Sequence, residues 1–228
     1  MTRRIIPIFA MILGMLGLVL FLLAAEILPD TTKEIVSEAS NWFDKARYEK
    51  SLTDTSKYYT GFQINEQIAR LYNQVNFVDF YNQFIPDREL IKATLQYGLK
   101  YNAPINSAFA LCKGESQFNP MAFNRNTNGT VDRSYWQLNN GHRRNWKVAD
   151  FYNVWKATPE ALRQFRDSIN FANDITFAWL TYNMGMGGAR PWIAVKQIPE
   201  FRKDYINEIS DFEDMLNKAF NDGLKRWN

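Results

Sequence analysis

A chain of 228 residues suits one domain plus an accessory segment. Its 27 basic and 24 acidic residues leave a net charge of +3, too even a balance for a nucleic-acid-binding surface. One cysteine, Cys112, excludes an intramolecular disulfide and a cysteine-built metal site, and one histidine, His142, excludes a multi-histidine metal centre. No phosphate loop, dinucleotide fingerprint, repeat or low-complexity tract is present, so neither a cofactor nor a metal is expected.

The chain opens Met1-Thr2-Arg3-Arg4 and continues as an apolar run from Ile5 to Leu28, broken only by Pro7, Gly14, Gly17 and Glu26. Twenty-four residues are long enough to cross a hydrocarbon core of ~30 Å. A cut after Ala25 would place Leu23 where a cleavable signal wants a small residue, so residues 1–29 are expected to be a transmembrane signal anchor, with a cleaved signal as the alternative. Arg3 and Arg4 then stay on the cytoplasmic side and the remainder lies outside the membrane, on the periplasmic or cell-wall side.

Residues 30–86 are expected to be a helical accessory or stalk segment. The stretch Thr31 to Lys50 is charged and helix-friendly, and Ser51 to Gly61 is polar. Ile64, Ile68, Leu71, Val75 and Val78 then alternate spacings of four and three, a helical stripe suited to packing on the following domain. A domain over residues 87–228 begins with a helix at Pro86-Asp87 that carries Leu90, Ile91, Leu95 and Leu99. Tyr101 to Pro104 breaks it, and Asn106 or Ser107 is the expected cap of the next helix. That helix, mostly apolar, ends in Gly114-Glu115-Ser116-Gln117-Phe118-Asn119-Pro120, where Pro120 forbids continuation. Asn128-Gly129, flanked by Thr130, Val131, Tyr135 and Trp136, predicts a small β-hairpin. Leu162, Phe165, Ile169, Ala172, Thr176 and Trp179 predict one long central helix ended by Gly185 to Gly188. A last helix is expected from about Pro199 to Phe220.

Glu115 falls at the end of a buried helix, where the helix dipole and apolar surroundings both disfavour its charged form. A carboxyl that keeps its proton near neutral pH is suited to general-acid chemistry. Three segments in order carry a wider resemblance. They are Glu115-Ser116-Gln117-Phe118-Asn119-Pro120, then Ser134-Tyr135-Trp136-Gln137-Leu138, then Thr181-Tyr182-Asn183-Met184-Gly185. Together they resemble the lytic transglycosylase (SLT) family of the lysozyme-like superfamily, which shows Glu-Ser-x-Phe-Asn-Pro, Gly-Leu-Met-Gln-Leu/Ile and Ala-Tyr-Asn-Ala-Gly. The first segment matches fully. The second departs at Ser134-Tyr135-Trp136 and the third at Thr181 and Met184. The resemblance covers about Glu89 to Arg190.

It implies a mostly α, lysozyme-like helical domain with a small β-hairpin, here preceded by the membrane helix. It also implies cleavage of the MurNAc-GlcNAc β-1,4 bond of peptidoglycan glycan strands, with a 1,6-anhydro product. In that family the same Glu, here Glu115, serves as acid and then as base toward the C6 hydroxyl, assisted by the sugar's N-acetyl group. Under this reading Ser116 orients Glu115 or binds substrate, Gln137 pairs with N-acetyl or hydroxyl groups, and Tyr182 and Asn183 act near the scissile sugar. Tyr135 and Trp136 are candidate sugar-stacking faces or, alternatively, hairpin residues packed on the core. Asp132 is the candidate second carboxylate. If it faced Glu115 across a water, the enzyme would be a goose-type-lysozyme-like inverting muramidase. A non-catalytic peptidoglycan-binding protein is the third reading. Ser134 stands where the family has Gly, so a positive φ there would strain the hairpin.

Overall fold

The computed structural model describes residues 56–227. The membrane-anchor expectation over residues 1–29 and the first part of the accessory segment lie outside them. Among the described residues no helix is long and apolar enough to cross a membrane. The architecture is mostly helical with one small sheet. In chain order it runs α1 (Ser56–Leu71), α2 (Phe77–Tyr81), α3 (Arg88–Lys100), α4 (Ile105–Ser116), β1 (Phe123–Arg125), β2 (Val131–Arg133) and β3 (Leu138–Asn139). After these come a 3-10 turn (Asn140–His142), α5 (Val148–Tyr152), α6 (Val154–Ala172), α7 (Ile175–Ala194), a second 3-10 turn (Glu200–Arg202) and α8 (Lys203–Trp227).

Helix α4 is the centre of the molecule. Ile105 through Cys112 are all buried, so this helix has no solvent face over its first two turns. It packs against α1, α3 and α8, while α6 lies between α3 and α7. Local chemistry sets the ends of its neighbours. Asp87 caps α3 by accepting from the Leu90 N–H at 2.9 Å, a bond typically worth about 1 kcal/mol. Asn65 of α1 donates to the Ala103 carbonyl at 2.9 Å and accepts from the Ile105 N–H at 3.0 Å. One buried side chain thereby ties α1 to the α3–α4 turn.

Three expectations need correction. The stripe from Ile64 to Val78 is not one helix: α1 stops at Leu71 and Val78 belongs to α2. Asn106 and Ser107 do not cap α4. Pro104 occupies that position without a side-chain bond, and both polar residues are buried inside the helix. The stripe from Leu162 to Trp179 is split, because Asn173 turns left-handed at φ 52° to end α6 and Asp174 caps α7 through the Phe177 N–H. As expected, Gly185 interrupts the helix: at φ 72°, ψ 161° it is non-helical, and a second helical piece follows it to Ala194 within α7.

The sheet is antiparallel in the order β1-β2-β3. Gly129 sits at φ 80° in the β1–β2 connection, a conformation glycine adopts without a Cβ clash. Tyr135 and Trp136 are not strand residues; they lie in the β2–β3 connection.

Candidate active site

Glu115 projects from the last turn of α4, two residues before Gln117 closes the helix in the left-handed conformation at φ 53°. Helix α8 runs antiparallel along α4, and two polar contacts fix the register. The Ser107 hydroxyl donates to Glu213, and eight residues further along each helix the Tyr205 hydroxyl donates to Glu115 Oε1 at 2.5 Å. Asn106 adds a bond to Asn217 at 2.8 Å. Gly114 makes this approach possible, because a methyl at that position would lie 2.5 Å from Ile209 Cγ1. Ile209 and Tyr205 share one face of α8, so the missing side chain of Gly114 lets Tyr205 reach Glu115.

From α7, Asn183 Nδ2 approaches the same oxygen of Glu115 at 3.4 Å, a long and weak hydrogen bond. The other amide atom, Asn183 Oδ1, is buried with no hydrogen-bond partner. Glu115 itself is half-buried. Its pKa is pushed from 4.5 up to about 7, chiefly because burial disfavours the charged form. The hydrogen bonds from Tyr205 and Asn183 oppose this rise, the charge of Asp132 adds to it and that of Arg202 opposes it. Burial, followed by the Glu115 charge, pushes the Tyr205 phenol well above its ordinary value, so Tyr205 remains a donor.

Asp132 is the hub of the sheet. It pairs with Asn124 on β1 and Asn139 on β3, which places the three side chains in one row. Asp132 Oδ2 accepts from Asn126 at 2.9 Å and from Asn124 at 3.3 Å, and Oδ1 accepts from Asn139 at 2.7 Å. Both oxygens are therefore engaged by amides.

The structure brings Asn183 to Glu115 and leaves the other motif residues elsewhere. Ser116 does not orient Glu115; its buried hydroxyl bonds back to the Cys112 carbonyl at 3.0 Å. Tyr135 and Trp136 are not sugar-stacking faces, being only 4% and 1% exposed. The Tyr135 hydroxyl donates to Asp87 at 2.6 Å and the Trp136 indole to Thr158 at 3.1 Å, so both rings join the hairpin to the helical core. The physical reason is that large aromatic surface is worth more buried than exposed. Tyr182 is also buried and donates to the Trp136 carbonyl at 2.9 Å, which fixes the hairpin connection to α7. Gln137, half-buried, donates to the Ser134 carbonyl at 2.8 Å. Ser134 does adopt a positive φ, 64°, the strained conformation that the departure from Gly implied. Burial pushes the Cys112 thiol up, in keeping with a core residue.

Tyr205 is the Glu115 contact that the sequence did not reveal. It lies 90 residues from Glu115, in the expected last helix, and only the packing of α8 on α4 brings the two together. An open groove of about 490 Å³, lined by Lys113 of α4 and by Asp204, Glu208, Asp211, Phe212 and Met215 of α8 among others, includes none of the Glu115 partners. Among the described residues, no cluster of His, Cys, Asp or Glu is placed to hold a metal ion.

Comparison with curated proteins and with solved structures gives no match. Residues 92–205, half of the chain, match the family model of the transglycosylase SLT domain. The match begins in α3, contains Glu115, the sheet and Asn183, and extends to Tyr205. With its mostly helical lysozyme-like fold and a desolvated acid at the end of a buried helix, the chain belongs to the transglycosylase SLT domain family, whose function is of the peptidoglycan-acting lytic transglycosylase type.

Proposed function

We propose that this protein is a peptidoglycan lytic transglycosylase that cleaves the MurNAc-GlcNAc β-1,4 bond, with Glu115 as acid and then base and a 1,6-anhydro product. The observation that carries the reading is the state of Glu115. A pKa of about 7 lets one carboxyl give a proton to the leaving oxygen and then take one from the C6 hydroxyl near neutral pH. When Glu115 is ionised, the Tyr205 hydroxyl and the Asn183 amide hold its charge. Intramolecular attack by the C6 hydroxyl needs no second catalytic carboxylate, and proximity favours it over attack by water.

The runner-up is an inverting muramidase with Asp132 as the base for water. What favours it is that the Asp132 charge is felt at Glu115. What weighs against it is that both Asp132 oxygens already accept from asparagine amides. Digestion of purified peptidoglycan, with products weighed by mass spectrometry, tests the choice. Products one water lighter than hydrolytic fragments are expected, and new reducing ends would overturn the transglycosylase assignment. An intact wall after digestion would favour a non-catalytic binding protein.

We further propose that residues 5–28 hold the protein in the cytoplasmic membrane as a single-pass anchor, with the domain outside. The apolar run and the preceding Arg3-Arg4 support this. Membrane-fraction retention through carbonate and high-salt washes is expected. Release of a form beginning near Glu26 would show a cleaved signal instead.

A further inference from the structure

The open groove beside α8 takes no part in the chemistry of Glu115. Its α8 wall carries Asp204, Glu208, Asp211 and Met215, spaced four, three and four, so the four share one face over about 16 Å of helix. All four side chains are exposed. The buried residues Ile206, Ile209, Glu213, Leu216 and Phe220 form a separate stripe toward the core. Helix α8 thus carries a second stripe that the domain leaves in solvent. On α4, Lys113 lines the groove, and Glu115, two residues on, does not share its face. The family match ends at Tyr205, and Glu208, Asp211, Phe212 and Met215 lie beyond it.

The groove is acidic on a chain whose net charge is +3. Among the described residues its lining holds three carboxylates and one cation, Lys113. That ammonium is already engaged, 3.7 Å from Glu208 and 5.4 Å from the centroid of the Phe212 ring. Gln117 also donates to Glu208, at 2.5 Å. Asp204 and Asp211 enter no ion pair among the described residues, and the neighbouring Lys203 pairs with Glu200. The helix dipole favours an acid in the first turn, which accounts for Asp204, but it does not reach Asp211. Like charges at these spacings weaken a helix. Beside them Met215 is 40% exposed, and the half-buried Phe212 ring rests on Phe118. Unpaired carboxylates along an apolar floor are complementary to a segment that brings cations and an apolar side chain at the same helical spacing.

We propose that this groove docks a basic amphipathic helix of a partner protein, with Lys or Arg side chains on Asp204 and Asp211 and an apolar side chain on Phe212 and Met215. The docking site is independent of the transglycosylase reading of Glu115. The probe is a synthetic alanine-based helix with Lys at three positions spaced four and three and Leu four residues beyond. Its controls are a peptide of the same composition in scrambled order and one with Glu for Lys. The full-length protein in detergent carries carbon-13 methyl methionine, and the Met215 signal, assigned with Met215→Leu, reports occupancy.

The patterned helix is expected to move that signal at about tenfold lower concentration than the scrambled one, and the Glu form not at all. Asp204→Asn combined with Asp211→Asn should weaken binding about five- to tenfold, the scale of two exposed charge pairs, and added salt should weaken it further. Wall cleavage by that double variant should match the wild type. Equal binding of the scrambled helix, or unchanged binding in the double variant, overturns the docking site, because only unspecific attraction would remain. A Met215 signal that moves with protein concentration alone, in step with dimer formation in sedimentation, makes the occupant a second copy and overturns the partner helix. A signal moved by peptide-free glycan strands makes the groove a sugar site and overturns it likewise. If the double variant does not fold, the patterned and scrambled helices on the wild type decide alone.

Discussion

Replacing Glu115 by Gln is expected to remove activity and, above neutral pH, to make the protein more stable. A proton affinity raised from pKa 4.5 to about 7 corresponds, at 1.36 kcal/mol per tenfold, to about 3.4 kcal/mol. The sign follows from proton linkage. Below pH 4.5 the carboxyl is protonated in both folded and unfolded chains, so its ionisation costs nothing. Between about 4.5 and 7 the folded chain binds more protons than the unfolded one, and stability falls as pH rises. Above 7 the folded protein carries the full cost of a desolvated carboxylate. Because Glu115 is half-buried and screened by solvent, about 2 kcal/mol is the expected fraction of that limit. Gln keeps the shape and an oxygen for the Tyr205 hydroxyl but has no charge to desolvate. Urea denaturation of wild type and Glu115→Gln at pH 4 and pH 8.5 reads the difference. A gap near zero at pH 4, opening to about 2 kcal/mol in favour of the mutant at pH 8.5, is expected; in thermal melts this is about 4–8 °C for a chain of this size. The same gap at both pH values, or a mutant that is less stable at pH 8.5, would refute the desolvated-acid account.

Tyr205→Phe removes a hydrogen bond that favours ionised Glu115, so the alkaline limb of the kcat/KM profile should move to higher pH; a limb that stays or moves down sinks the positioning role. Ser134→Gly relieves an L-residue held at φ 64° and should stabilise the protein by about 1 kcal/mol, read as a higher melting temperature. Asp132→Asn should retain substantial cleavage while moving the alkaline limb to lower pH, because the Asp132 charge raises the Glu115 pKa. Abolished cleavage in Asp132→Asn, together with reducing-end products from the wild type, would favour the inverting hydrolase.

What the sequence made legible was local. Asp87 reads as a helix cap because a carboxylate there satisfies the Leu90 N–H. Asn128-Gly129 reads as a turn because glycine accepts φ 80°. Pro120 shortens α4 so that Glu115 must stand near its end. The misread elements depend on distant partners. Asn106 and Ser107 look like caps from their polarity, yet they lie inside α4 because Asn217 and Glu213 of α8 satisfy them. The break at Asn173-Asp174 hides inside an apolar spacing that continues across it. Tyr135 and Trp136 carry no local mark that separates a sugar platform from a core anchor; only the Asp87 and Thr158 partners decide. Tyr205 is the strongest case, since the hydroxyl that donates to the acid is placed entirely by how α8 packs on α4.

Seven non-glycine residues turn left-handed among the described residues, and four of them fall in the motif segments. Gln117 and Phe118 do so just past Ser116, at φ 53° and 57°, and Ser134 and Gln137 in the hairpin connection, at φ 64° and 45°; Asn102, Asn173 and Lys196 lie at the ends of other helices. Strained non-glycine residues of this kind persist only where the surroundings over-determine them. Here the surroundings are identifiable. The rings of Tyr135 and Trp136 are fixed in the core, and the Tyr182 hydroxyl holds the Trp136 carbonyl directly before Gln137. The Phe118 ring, 8% exposed, packs against Phe212 of α8 at 5.7 Å between centroids. The buried aromatics of the second and third motifs thus have a positional role: they hold the connection that closes the hairpin, while α8 holds the residue pair that follows the acid. A substitution at Trp136 or Tyr182 would act on the site through that geometry, even though neither side chain touches Glu115 by a hydrogen bond.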